Sequence, residues 1–468
     1  MLSTLLGSDV SFAPLKRLIA EKTEGNPLFM EEIYLGLLED GALVRNGGVK
    51  LVRPLASLRI PPTVEGILVS RIDRLPADEK KLLQTLAVIG KDFQLGVARA
   101  LSGEPDDELR AMLNNLQLAE FIYEQPSMDD LEYTFKHDLT RGVAYRSLLN
   151  ERRRVLHDRA GEAIEVLFSS HLDDHLAELA HHFTESANAP KAARYLTLVG
   201  KQALERSAFA ESQAHLQKGL EWVKRIPDGI ERSKLELDLL LSSEETLRYV
   251  HGVGGPEVAG LMQRANELCE QVGTDVQRFS VLLGMRDVLA SSGDYESAIE
   301  KCRLALELAE RTHDSEMLQT AAGYTAFTLY WTGSLVEALR QSRRTLELTR
   351  LIKGRRRFLS RRAEWVAMST AANSLLLLGY PDQAEKAASE ALTRARQVTH
   401  PTASLSSQGI VYVYLSLGMP NVARAFAEEA VLAAERSGFT SLVELWRARL
   451  GSAIAREGNP QEGGPNDS

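Results

Sequence analysis

What is scarce in these 468 residues narrows their chemistry before any motif is considered. Only two cysteines occur, Cys269 and Cys302, too few for a disulfide framework or a thiolate metal site, and this scarcity fits a reducing cytoplasm. No apolar stretch approaches the roughly 18 residues that span a bilayer; the longest aliphatic run is Leu375 to Leu378. The opening MLSTLLGSDVSFAPLK has no basic stretch ahead of an apolar segment, so no secretion signal is expected and the chain should stay in the cytoplasm. Positive charge is in deficit, 55 Lys and Arg against 64 Asp and Glu for a formal charge of −9. Neither nucleic acid nor a membrane surface is therefore an expected partner of the chain as a whole. Phosphate-cradling loops are missing too. The Gly-Lys pairs at Gly90 and Gly200 are followed by Asp92 and Gln202 and lack the upstream glycine, so no Gly-x-x-x-x-Gly-Lys-Ser/Thr motif exists. No aliphatic strand ends in paired acids that could hold magnesium. The expectation is a chain that is not itself an enzyme and holds no metal or cofactor. What is plentiful is apolar residue, 44% against 25% charged, the make-up of an ordinary globular protein of roughly three domains.

Internal repetition organises the second half. SSGDYESAIEKCRLALELA, YWTGSLVEALRQSRRTLEL, LLLGYPDQAEKAASEALTRA and YLSLGMPNVARAFAEEAVLAA are centred on Gly293, Gly333, Gly379 and Gly418. In each, alanine follows five residues later, at Ala298, Ala338, Ala384 and Ala423. Small residues recur four and seven positions further on, at Cys302 and Ala305, Ser342 and Thr345, Ala388 and Ala391, Ala427 and Ala430. Those intervals fall on one helical face. Glycine permits a tight turn between antiparallel helices, and the small residues let the two approach closely. The pattern resembles the tetratricopeptide repeat, best at Gly293, Tyr295, Ala298 and Ala305. The glycine spacings of 40, 46 and 39 residues exceed the usual length of about 34, which predicts longer helices. Weaker copies around Ala192 and Phe209 carry the array back toward residue 172. Stacked units of this kind build a continuous core and a curved groove, and a protein partner in that groove is the expected ligand.

The long spacing coincides with RLIKGRRRFLSRR, residues 350–362, where seven of thirteen residues are basic. A solvated connector between repeats is expected, an acidic partner or a nucleic-acid contact being the alternatives. The Gly- and Pro-rich tail, 456–468, is expected to be disordered.

In the first half, residues 64–135 predict four helices (VEGILVSRIDRL, ADEKKLLQTLAVIG, LGVARALSG and DDELRAMLNNLQLAE) and then strands FIYEQ and LEYTF joined by PSMDD. Helices followed by a small hairpin make a winged-helix module. The would-be recognition helix opens on Glu104, Asp106, Asp107 and Glu108 with a single Arg110. Acids there stabilise the helix and repel a duplex, so this module is not expected to read DNA.

Four blocks in residues 17–225 carry a more specific likeness: IAEKTEGNPLFMEEI, IPPTVEGILVSRIDRLPADEKKLLQTLAVIGKDF, YTFKHDLTRGVAYRSLLNERRRVLHDRAGEAIE and LAHHFTESANAPKAARYL. In this order they resemble the C-terminal part of bacterial signal-transduction ATPases with numerous domains, of the kind associated with adenylate or guanylate cyclases. The resemblance implies a remnant of the ATPase lid over 1–57, a winged helix over 58–150, a helical linker with degenerate first repeats over 151–228 and a tetratricopeptide-like solenoid over 229–455. It also implies that Gly25, Asn26 and Pro27 would pack on an adenine, and that His137 with Asp138 would touch the phosphate side. ATP or ADP would then bind only with the ATPase core that these residues lack. The resemblance further implies that an ATPase or cyclase domain is a partner, and that the chain is either a truncated reading frame or half of a split protein.

Two arrangements remain. His171, His175, Glu178 and His182 recur at steps of four, three and four, one helical face that resembles a zinc site only loosely; packing and surface roles are expected instead. A helix from Leu139 to about Phe168 is predicted, its arginines at 141, 146, 152, 153, 154 and 159 mostly on the solvent face, the alternative being that some of them grip a nucleotide or the missing ATPase domain. The fold class expected is mostly α, a winged-helix module with a small β-hairpin followed by a tetratricopeptide-like α-solenoid. The function expected is a regulatory protein-interaction module. The alternatives are an ATP-binding, cyclase-linked ATPase completed by a core supplied from elsewhere, and a transcription regulator.

Overall fold

A computed structural model of the chain describes residues 1–7, 9–45, 48–126, 131–206, 208–251, 254–352, 358–397, 409–436 and 440–458. The chain divides into two compact units, Met1–Asn188 and Ala189–Ser468. Among the described residues no helix is long and apolar enough to cross a membrane.

Unit 1 opens with helices α1 (Leu2–Leu6), α2 (Ala13–Thr23) and α3 (Pro27–Glu39) and an antiparallel pair, β1 (Leu43–Arg45) and β2 (Val49–Leu51). Helices α4 (Val64–Arg74) and α5 (Ala77–Ile89) follow, then β3 (Asp92–Gln94), α6 (Leu95–Ser102), α7 (Asp106–Leu118), β4 (Ile122–Gln125) and β5 (Glu132–Phe135). Strand β5 lies centrally in an antiparallel sheet of order β3-β5-β4, pairing Phe93 with Tyr133 and Ile122 with Phe135. Thr63 starts α4 by accepting the Gly66 N–H at 3.1 Å, and α4 buries Ile67, Leu68, Arg71 and Ile72. The PSMDD turn lies largely outside the described residues.

The predicted helix from Leu139 to Phe168 is in fact two, α8 (Asp138–Arg146) and α9 (Asn150–Leu167). The Ser147 hydroxyl donates to the Ala144 carbonyl at 2.7 Å and accepts from Gln84 Nε2 at 2.8 Å. A side chain thereby satisfies a backbone oxygen that a continuing helix would use. Unit 1 ends on α10 (Leu176–Ser186).

Unit 2 is a stack of helix pairs: α11 (Ala189–Glu205) with α12 (Phe209–Val223), α13 (Ile230–His251) with α14 (Pro256–Val272), and α15 (Asp275–Ser291) with α16 (Tyr295–Thr312). Three further pairs follow, α17 (Ser315–Trp331) with α18 (Leu335–Leu351), α19 (Phe358–Leu377) with α20 (Pro381–Gln397), and α21 (Gly409–Ser416) with α22 (Pro420–Arg436). Helix α23 (Thr440–Arg456) packs on α22. The same turn joins four of these pairs. Gly293, Gly333, Gly379 and Gly418 take φ of +88°, +79°, +86° and +73°. The next N–H in each case returns to a carbonyl five residues back: Asp294 to Leu289, Ser334 to Leu329, Tyr380 to Leu375 and Met419 to Tyr414, at 2.9–3.0 Å. This Schellman closure satisfies the last carbonyls of the first helix, and its left-handed residue favours glycine. The second helices then dock through Ala298, Ala305, Ala338, Ala384, Ala391, Ala423 and Ala430, all without exposed surface.

Consecutive first helices of the pairs, α13, α15, α17, α19 and α21, touch one another, whereas consecutive second helices are spaced more widely. The first helices therefore form the inner, concave layer. The coil is tight enough that α23 meets α13. Leu204 and Phe209 of the first pair share one apolar cluster with Trp365, Phe426 and Trp446 of the last turns. The sequence predicts a curved groove; in the structure the two ends of the stack share one apolar cluster.

Candidate functional site

The inner layer of unit 2 holds a charge cluster where a helix-packing core would ordinarily be apolar. Arg248 of α13 is bonded to Glu244 one turn back and to Asp287 of α15. Arg286 Nη1 lies 2.6 Å from Asp287, and its guanidinium stands over the Tyr324 ring of α17 at 4.5 Å. From α19, Arg362 donates to Tyr324 Oη at 3.1 Å and lies 3.7 Å from Asp287. Arg248, Arg286, Glu244, Asp287 and Tyr324 are all buried. Burial opposes ionisation of Asp287, yet Arg286, Arg248 and Arg362 outweigh it and hold that carboxyl below its ordinary range. Burial likewise opposes the charge on Arg248, but Glu244 and Asp287 keep it protonated. The cluster ties four inner-layer helices together, since removing either sign would strand the other without water.

Beside it opens a pocket of about 460 Å³, within the range of small-ligand sites. Its apolar lining includes Leu204, Leu241, Met262, Phe279, Leu283 and Met317. Much of its polar lining is already engaged: Glu244 holds Arg248, and Asp238 accepts from Gln277 at 2.6 Å. Lys201, Glu205, Glu316 and Arg361 add further charge to the lining. Ser360 has no exposed surface, and its hydroxyl lacks a hydrogen-bond partner. Glu245, partly buried, faces Glu244 and Arg248 on its own helix, Lys201 from α11 and Arg362 from α19. Burial first, then Glu244, push its carboxyl up to about 7 from an ordinary 4.5, against the pull of the three cations.

The sign of that shift sets a pH dependence. A carboxyl whose folded pKa is raised contributes stability that is complete below about pH 4.5 and lost as pH rises through about 7. The loss amounts to roughly 3–4 kcal/mol at most, from about 1.4 kcal/mol per pKa unit. All four tryptophans lie in unit 2, so their fluorescence reports its unfolding. Urea denaturation followed this way should give unit 2 a lower stability at pH 8 than at pH 5, and Glu245→Gln should flatten the difference.

None of Glu245, Ser360, Arg248, Asp287 or Tyr324 stands out in the sequence. Arg362 does, as part of the basic segment. Residues 353–357 of that segment lie outside the described residues, but Arg361 and Arg362 belong to α19 rather than to a solvated connector. The fold recruits Arg362 to offset Asp287. Residues 459–468 of the predicted tail also lie outside the described residues.

The other predicted groups fall in unit 1. Gly25, at φ +86°, and Asn26 lead into α3, where Asn26 Oδ1 accepts the Phe29 N–H at 3.2 Å and Pro27 takes the first helical position. Asp138 is paired with Arg141 at 2.8 Å. His137 Nε2 is buried without a hydrogen-bond partner, 3.8 Å from Glu31, one turn beyond Pro27 on α3. Asn26 Oδ1 and Asp138 are thus occupied locally, and His137 keeps a buried nitrogen without a hydrogen-bond partner.

The four residues stepped from His171 to His182 do not share a helical face. A 3₁₀ turn, Leu172–His175, precedes α10 and breaks the period. His171 and His175 stay near the surface, His175 stacking on Phe168 at 3.9 Å and pairing with Glu178 at 3.0 Å. His182 is buried against His157, whose Nε2 bonds to Tyr145 Oη at 2.9 Å. Burial, with neighbouring imidazoles, lowers His157 to about 3 and His182 to about 4. This is a neutral packed pair. Among the described residues no cluster of three or more His, Cys, Asp or Glu is placed to hold a metal.

No protein-family model matches the chain. An uncharacterized protein from Rhizobium meliloti (strain 1021) is 24% identical over 250 residues, which are 53% of this chain and 24% of that protein. The chain thus spans about a quarter of the length of that curated relative. Among solved structures, the Pyrococcus horikoshii signal transduction ATPase with numerous domains, which carries a tetratricopeptide repeat sensor, aligns at TM-score 0.36 and 15% identity. That alignment covers 93% of this chain and 72% of the other. A Rap protein complexed with competence and sporulation factor gives 0.40 at 11%, over 86% of this chain and all of that one. The apo quorum sensor NprR from B. thuringiensis gives 0.47 at 13%, over 86% and 97%.

Proposed function

We propose that the chain is a regulatory protein-interaction module rather than an enzyme, and that the inner layer of unit 2 seats an extended segment of a partner protein. One observation carries this reading: a pocket in the concave layer combines apolar walls with charged groups and a buried hydroxyl, Ser360, that no neighbour satisfies. A wall of side chains held rigid by a buried charge cluster is pre-organised, which lowers the entropy cost of capturing a flexible segment. In the finer reading unit 1 is a winged helix with the lid of a signal-transduction ATPase, linked in relatives to nucleotide cyclases. The unpaired His137 nitrogen supports a nucleotide contact once such a core is supplied. Two buried free cysteines suit a cytoplasmic setting.

The test is site-specific photocrosslinking in cells, with benzoylphenylalanine at Ser280 in the pocket wall or at exposed Arg303 on the outer layer. The expected result is one discrete protein adduct from position 280 and none from position 303. Equal labelling from both positions, or none from 280, would count against the inner layer as the seat.

A further inference from the structure

The pocket of unit 2 is selective about the end of the molecule that enters it. The charge balance of its lining decides the ligand's head. Lys201 is exposed and solvated. Arg248 is consumed by Glu244 and Asp287, and Arg362 by Tyr324 and Asp287. The lining carries five acids, Glu205, Asp238, Glu244, Glu245 and Glu316, against three bases, Lys201, Arg248 and Arg361, and in the same lining the fully buried Ser360 hydroxyl is unpartnered. The same lining includes Leu204, Leu241, Met262 and Phe279, apolar surface that suits an aliphatic stem.

We infer that this pocket takes the side chain of a lysine or arginine carried by the partner segment, its cationic head at Glu245 and Ser360 and its stem along the apolar wall. A cation here completes a carboxylate that burial otherwise disfavours, and Ser360 can accept one of its N–H groups. The excess of acids over bases in the lining disfavours a ligand anion. The inference rests on the inner layer being the partner's seat, and it names the chemistry of the residue that anchors there. Because the carboxyl must be ionised to hold the head, binding should strengthen as pH rises through about 7.

Three probes with one stem and different heads test this on the full chain: n-pentylamine, 1-pentanol and pentanoate. Methyl resonances of Met262 and Met317, both in the pocket wall, report occupancy. Pentylamine should shift both methyls saturably at pH 8, with pentanol and pentanoate at least fivefold weaker. Going from pH 8 to pH 6 should weaken the amine roughly tenfold, following the ionised fraction of one carboxyl. Glu245→Gln, checked for an unchanged tryptophan-monitored unfolding midpoint at pH 5, should lose both the amine preference and its pH dependence. Pentanoate binding as well as the amine, no saturable shift with any probe, or an amine preference that survives Glu245→Gln would each overturn the inference. If the amine fails while crosslinking from position 280 persists, the pocket chemistry is wrong and the seat stands. If the amine binds while no crosslink forms, the reading of the seat fails instead.

Discussion

Arg71→Ala will unfold unit 1 under conditions where unit 2 stays folded. The Arg71 side chain is 1% exposed and ties α4 to α3 and to the end of α7. Nη1 donates to Glu32 of α3 at 2.5 Å, Nε to Glu39 of α3 at 2.7 Å, and Nη2 to the Ala119 carbonyl after α7 at 2.6 Å; the guanidinium also lies over Phe121 at 4.6 Å. Burial works against this charge, and Glu39 and Glu32 restore it. Truncation would leave the equally buried Glu32 without a counter-charge, a loss of about 3–5 kcal/mol. That is a large fraction of the stability of a domain this size. Hydrogen exchange should show amides of α3, α4 and α7 losing protection, while the tryptophan-reported transition of unit 2 keeps its midpoint. Arg71→Met with Glu32→Leu should recover much of the loss, because an apolar pair leaves no stranded charge. A single mutant as stable as the parent would mean that the cluster contributes little to holding α3 on α4.

The counterpart in unit 2 is Arg248→Ala. It removes the cation shared by Glu244 and Asp287 and should lower the tryptophan-monitored stability by about 3–5 kcal/mol. Asp287 retains Arg286 and Arg362, so most of the deficit should fall on Glu244. Adding Glu244→Gln should therefore restore more stability than adding Asp287→Asn. Equal rescue by the two would show that the cluster shares its charge more evenly than the geometry implies.

The parts of this fold that the sequence announces are those built from local rules. A left-handed glycine closing one helix and small residues at four- and seven-residue steps on the next are visible at Gly293, Gly333, Gly379 and Gly418, because both requirements act within about fifteen residues. Elements set by distant partners are not visible. The three-residue strands β1, β2 and β3 are too short to show a period, and β3 exists because Phe93 pairs with Tyr133, forty residues away. The break between α8 and α9 depends on one serine finding Gln84. His182 sits in a four-three-four pattern, but it is buried against His157 of α9, and a 3₁₀ turn takes His171 and His175 off its helical face.

The candidate site was less legible still. Glu244, Glu245 and Arg248 read as ordinary surface charges of a long helix, and Arg361 and Arg362 as the end of a basic connector. Only the convergence of the inner helices turns them into a buried cluster beside a pocket. The groups suggested by resemblance, Gly25 to Pro27 and Asp138, serve helix starts and a local ion pair in this structure, with His137 the exception.

The most direct test of the inner layer as the binding surface is hydrogen exchange on the full chain, with and without the partner recovered by crosslinking. The account predicts added protection concentrated in α13, α15, α17 and α19, with α14, α16 and α18 unchanged. Protection confined to the outer helices, or spread evenly over both layers, would contradict it.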